Sequence, residues 1–96
     1  MYLRVSTTQA DPSKTDAAVK ELNDSVRNEL KKVQGLAACY SAWNEDGSGV
    51  TVAIYESREQ AEGAADHVRA IWSTMGSMLT APPSIKEYEN VIDLKA

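Results

Sequence analysis

The stretch Asp66-His67-Val68-Arg69-Ala70-Ile71-Trp72-Ser73-Thr74-Met75 carries the only histidine in the chain and one of its two tryptophans. An imidazole can move protons near neutral pH, and an indole beside it can wall an aromatic ligand. Their spacing separates them. At about 100° per residue, His67 and Trp72 lie about 140° apart around a helix. With Val68 at the centre of the apolar stripe, Trp72 falls about 40° from it and His67 about 100°. Trp72 is expected in the packing or an interface, with a ligand wall as the alternative. His67 is expected on the flank, solvated or at an interface. It serves as a general base only if a partner chain or a loop brings a pocket to it.

The remaining reactive side chains have plainer readings. Cys39, the single cysteine, is expected to be a buried, inert thiol, because no His or helix N-terminus accompanies it. Glu56 and Glu59 read as acids at a helix start rather than as a catalytic pair. One His without a nearby Cys or His partner argues against a metal site, and none is expected. No phosphate loop, nucleophile elbow or metal-ligand spacing is present, so no cofactor is expected.

The elements that must position a site are legible. Leu3 and Val5 alternate with Tyr2, Arg4 and Ser6 in a first strand over residues 1–7, which Pro12 ends. Val19, Leu22, Val26, Leu30 and Val33 form one stripe of a helix over residues 13–35, with Gly35 as its terminator. Residues 36–43 and 49–56 are two strands around the turn Asn44–Gly49, centred on Asp46-Gly47. Ser57 and Gln60 fit a capping box that opens a second helix. Its stripe is Ala61, Ala64, Ala65, Val68, Ile71, Trp72, Met75 and Leu79, and the segment Thr80–Ser84 with its two prolines stops it. Ile85–Leu94 is expected as a last strand.

Pairing around Asp46-Gly47 places Trp43 opposite Val50 and Ser41 opposite Val52. One face then carries Cys39, Ser41, Trp43, Val50, Val52 and Ile54. The other carries Ala38, Tyr40, Ala42, Thr51, Ala53 and Tyr55. The second face combines small side chains with two phenols, the make-up of a small-molecule pocket. Arg4 could neutralise an anionic ligand there. The alternative is that these side chains fill the space, with Arg4 paired to a glutamate of the last strand. The candidate ligand contacts are Arg4, Tyr40, Thr51, Tyr55, His67 and Trp72, and none is assigned a catalytic role.

The 96 residues suit one small domain, 1–96. The net charge of −4 and the absence of a basic block argue against nucleic acid. No apolar run approaches the length of a membrane span, and no signal segment opens the chain. With one cysteine, these features give cytoplasmic as the expected location.

The order strand, helix, strand, strand, helix, strand is ferredoxin-like βαββαβ. Within it, "KVQGLAACYSAW" and "VTVAIYESREQAEGA", with Trp72 and Ala81-Pro82-Pro83, resemble the antibiotic biosynthesis monooxygenase-like (ABM) family. The resemblance covers nearly the whole chain. It implies an α+β fold with two helices on one face of a four-stranded antiparallel sheet, and a homodimer closed into a dimeric α+β barrel. The dimer would cover the second sheet face, and the space between the two sheets is where a pocket is expected. Two departures stand out. Many members carry a histidine at the position of Ala64. The haem-degrading branch uses an Asn on the first strand and Trp before His on the second helix, whereas here the strand offers Arg4 and Ser6 and His67 precedes Trp72. The resemblance implies a small-molecule-binding protein, and, if catalytic, a cofactor-independent monooxygenase of an aromatic or polyketide-like substrate. The alternative is a non-catalytic dimeric binding or structural protein.

Overall fold

The computed structural model describes residues 1–96. Its strands are β1 (Tyr2–Gln9), β2 (Leu36–Trp43), β3 (Ser48–Tyr55) and β4 (Ser84–Tyr88). They form one antiparallel sheet in the order β2-β3-β1-β4. The first helical region joins α1 (Thr15–Glu21), a π turn (Leu22–Val26) and α2 (Arg27–Leu30). The second helix is α3 (Arg58–Ser73). This is the expected α+β, ferredoxin-like arrangement.

Local chemistry sets the boundaries. Asp11 accepts from the Ser13 amide at 2.9 Å, and Pro12 begins the turn that enters α1. Ser57 Oγ accepts from the Gln60 amide at 3.2 Å, which opens α3 as its capping pattern predicts. Gly35 stands at φ +82° and directs the chain into β2. Gly47 stands at φ +88°, where a Cβ would lie 2.2 Å from the carbonyl oxygen of Ala10. Both its conformation and the close backbone therefore require glycine.

Several boundaries differ from the sequence reading. Strand β1 runs on to Gln9 rather than stopping at Thr7. Regular helix ends at Leu30 rather than near Gly35, and residues 31–33 turn through short-range bonds such as Val33 N to Leu30 O at 3.1 Å. Helix α3 ends at Ser73, before the prolines. Ser73 Oγ and Thr74 Oγ1 donate to the carbonyls of Ala70 and Ile71 at 2.6 and 2.7 Å, bonds that favour stopping the helix there. The last strand stops at Tyr88 instead of Leu94. Beyond it Ile92 and Leu94 face solvent, with no buried face to enforce alternation.

The core lies between the helices and one sheet face. Tyr2, Ala18, Val26, Val33, Tyr55, Ala61, Ala64, Ile71 and Met75 are buried together. The opposite sheet face has no cover. Directly paired residues share a face, so Leu3, Val5, Val50, Val52 and Ile54 lie on it with Tyr40 and Tyr88. Its aliphatic side chains are only half-buried, and Tyr40 is 69% exposed.

Candidate functional site

The turn between β2 and β3 decides which side chains meet. It uses Asn44, Glu45, Asp46 and Gly47, closed by Asn44 N to Ser48 O at 2.8 Å and Gly47 N to Asn44 O at 3.0 Å. Asp46 carboxylate holds the Ser48 amide at 2.9 Å. The result pairs Trp43 with Gly49, Ser41 with Thr51 and Cys39 with Ala53. The pairing expected from the sequence is thus one residue out on β3, and a one-residue slip exchanges every side chain of a strand between faces. The two faces are corrected accordingly. Thr51, Ala53 and Tyr55 join Cys39, Ser41 and Trp43 against the helices. Val50, Val52 and Ile54 join Ala38, Tyr40 and Ala42 on the open face.

An enclosed cavity lies between the sheet and the helices of one chain. Three cross-strand rows form its floor. Tyr55 pairs with Tyr2; Cys39, Ala53, Arg4 and Glu87 align in the next row; Ser41, Thr51, Ser6 and Ile85 align in the third. Leu22, Val26 and Leu30 of the first helical region roof it, with Val68, Ile71 and Trp72 of α3. The enclosed cavity measures about 40 Å³, room for about one water by volume. At the β2 edge an open groove of about 310 Å³ shares Leu22, Val26, Leu30, Cys39 and Ser41 with the cavity wall. The π turn contributes Leu22 and Val26 to both spaces. Displacing these side chains would join groove and cavity.

Arg4 is the charged group of the site. Its side chain is 11% exposed and donates from Nε and Nη2 to Oε1 of Glu87 at 2.9 and 2.7 Å. This is the pairing to a last-strand glutamate that the sequence left open as the alternative. The guanidinium carbon also stands 5.7 Å from the centre of the Tyr55 ring, within cation–π range. The Tyr2 hydroxyl and Arg4 hold the Glu87 carboxyl below its usual range. Burial raises the Tyr55 phenol, with Arg4 opposing. The Glu87 carboxylate, and then burial, raise the Tyr2 phenol. Cys39, half-buried rather than fully buried, lines the cavity, and burial pushes its thiol up as well.

A raised phenol pKa gives a signed prediction. The folded chain holds these protons more tightly than the unfolded chain does. The associated stability is present below the ordinary phenol value of 10.0 and is lost as pH rises through the folded values. Ultraviolet titration should show ionisations above pH 10.0 that Tyr2→Phe and Tyr55→Phe each remove, with alkaline unfolding accompanying them. Ionisation of both residues below that pH would contradict the assigned environments.

Of the sequence candidates, Arg4, Thr51, Tyr55 and Trp72 line the enclosed cavity. Tyr40 is on the other face of the sheet, because it pairs with Val52. His67 is outside the cavity, on the flank of α3, where Nε2 lies 3.5 Å from Oε2 of Glu29. Lys32 first, and then His67, lower the Glu29 carboxyl. Sequence reasoning missed Ser6 and Ser41 as cavity residues. For Ser41 the signal was a small polar group between Cys39 and Trp43, which acquires meaning once the register is known; Ser6, between Arg4 and Thr8 on its face, gave none.

No protein-family model and no curated protein matches this chain. Solved structures do. A Caulobacter crescentus protein, provisionally described as an antibiotic biosynthesis monooxygenase, is 19% identical with a TM-score of 0.78, covering 95% of this chain and 90% of its own. The ActVA-Orf6 monooxygenase of Streptomyces coelicolor, solved with the ligand nanaomycin D, is 20% identical with a TM-score of 0.76, covering 99% and 91%. Rv0793 of Mycobacterium tuberculosis is 14% identical with a TM-score of 0.73, covering 98% of each. The fold is therefore that of ABM structures. No helix is long and apolar enough to cross a membrane.

Proposed function

We propose that this chain is an ABM-like protein that binds a small aromatic or polyketide-like molecule between its sheet and helices. The carrying observation is the enclosed space lined by Arg4, Thr51, Tyr55 and Trp72, bordered by an open groove. Mostly apolar walls with a few convergent polar groups are the usual make-up of such a site. The ligand enters from the β2 edge by displacing Leu22 and Val26. Tyr40 and His67 are not part of this site.

As an enzyme it is a cofactor-independent monooxygenase located in the cytoplasm. The substrate loses to water a proton from a carbon conjugated with its carbonyl, and its carbanion meets dioxygen. Arg4 or Tyr55 stabilises the anion that develops. For an anthrone, the methylene carbon becomes a carbonyl. One oxygen atom stays in that carbonyl, and the other leaves as water with the two methylene hydrogens. The nanaomycin D complex of the Streptomyces coelicolor protein supports a small-molecule ligand. The chain acts as a homodimer joined through the open sheet face, where exposed apolar surface favours an interface.

Two measurements test this reading. Nanaomycin D at about a hundredfold its dissociation constant should stabilise the fold by about 2.7 kcal/mol, read as a raised melting temperature. The protein should also accelerate conversion of 1,8-dihydroxyanthrone to its quinone above the rate in buffer, with matching oxygen uptake. Stabilisation without acceleration would favour the non-catalytic binding protein. Neither effect would leave a structural dimer, a reading supported by the Arg4–Glu87 pair already occupying the only cation of the cavity wall.

A further inference from the structure

The cavity floor holds three hydroxyls in one line. Ser41 pairs with Thr51, and Thr51 with Ser6, so the side chains cross β2, β3 and β1 on the helix-facing side. All three line the enclosed cavity. Ser6 and Thr51 are 4% and 9% exposed, whereas Ser41, on the edge strand β2, is exposed. Ser41 Oγ and Thr51 Oγ1 are 2.7 Å apart, with either able to donate. Placing hydroxyls in an apolar layer is unfavourable unless they are hydrogen-bonded, and valine or alanine would fill a sheet face at lower cost.

Hydrogen counting makes the row more specific. Each hydroxyl carries one hydrogen and two acceptor positions. Only one hydrogen lies between Ser41 and Thr51, so the pair keeps a second hydrogen and spare lone pairs. The neighbouring residue along β3 on the same face, Ala53, is small and leaves space beside the row. Arg4 in Ala53's row is already engaged by Glu87. An anionic ligand would have to compete with that glutamate, whereas an uncharged oxygen at the row would not.

We propose that Ser41, Thr51 and Ser6 select ligands by hydrogen-bonding an uncharged oxygen, a phenol hydroxyl or a ring carbonyl, set on an otherwise apolar ring system. This rests on the ligand-binding reading above and names the substrate class it favours. Because each hydroxyl both donates and accepts, the row suits a phenol hydroxyl and a ring carbonyl alike.

The test compares 2-naphthol with naphthalene, two ring systems that differ by one hydroxyl, in direct binding titrations. The wild type should prefer 2-naphthol by about tenfold, the scale of one hydrogen bond. Thr51→Val and Ser41→Ala should each lower that preference severalfold while naphthalene affinity holds. Thr51→Ser, which keeps the hydroxyl, should restore it. Damaged packing would weaken both probes together, so the ratio separates recognition from structure. If Thr51→Val does not fold, Ser41→Ala at the edge strand carries the measurement. An unchanged preference in both variants would overturn the proposal, as would equal binding of the two probes to the wild type, which would leave the pocket itself intact. No binding of either probe would overturn the row and the pocket together, leaving a cavity that holds water.

Discussion

Tyr55→Ala should lower the stability of the fold by about 3–5 kcal/mol, the range for deleting a buried aromatic side chain. A domain of this size has about 5–15 kcal/mol in total, so the loss is large. Tyr55 is 1% exposed and is the largest fully buried side chain. It sits on β3 directly opposite Tyr2 and stacks under the Arg4 guanidinium. Removing the ring opens a void where the helices meet the sheet and leaves Arg4, at 11% side-chain exposure, without its aromatic neighbour. Tyr55→Phe retains the ring and should cost about 1 kcal/mol or less. Urea unfolding distinguishes them: the alanine midpoint should fall by at least about 1 M, while the phenylalanine midpoint stays near the wild type. An alanine variant as stable as the wild type would show that Tyr55 is not a packing keystone.

Val52→Glu should convert the proposed homodimer into a folded monomer. Val52 lies in the middle of the uncovered face, opposite Val5 on one side and Tyr40 on the other. In a two-fold interface every substitution occurs twice. Burying an unpaired carboxylate costs about 3–5 kcal/mol, so the dimer should weaken by at least about a thousandfold. The same side chain on a monomer stays in water and should leave the helix-facing core intact. Sedimentation at micromolar concentration, with circular dichroism to confirm the fold, provides the comparison. A wild-type chain that is itself monomeric there would remove the dimer and its barrel.

Much of the fold was legible because periodicity reports burial directly. The stripe through Leu22, Val26 and Leu30 marks the helix side that covers the sheet, and Ser57 marks the start of α3 through a bond to Gln60. The angular argument about His67 and Trp72 needed only helix geometry. Trp72 now packs against the core and lines the cavity, while His67 stands outside it beside Glu29. The π turn was not legible. Asn23, Asp24 and Ser25 have weak helix preference, but the extra residue in a turn is a tertiary compromise that leaves the stripe readable.

The sequence by itself determined the order of elements and the two helix faces that pack. Those properties depend on spacing within a segment, which periods of about 3.6 and 2 residues encode locally. Only the tertiary structure decided which candidates meet. The four-residue turn at Asn44–Gly47 pairs Ser41 with Thr51 rather than with Val52. That single step puts Thr51, Ala53 and Tyr55 beneath the helices and leaves Tyr40 on the far side. A strand's two faces differ by one residue of register, and register is set jointly by the turn and by what covers the sheet. Neither is contained in the strand's own alternation.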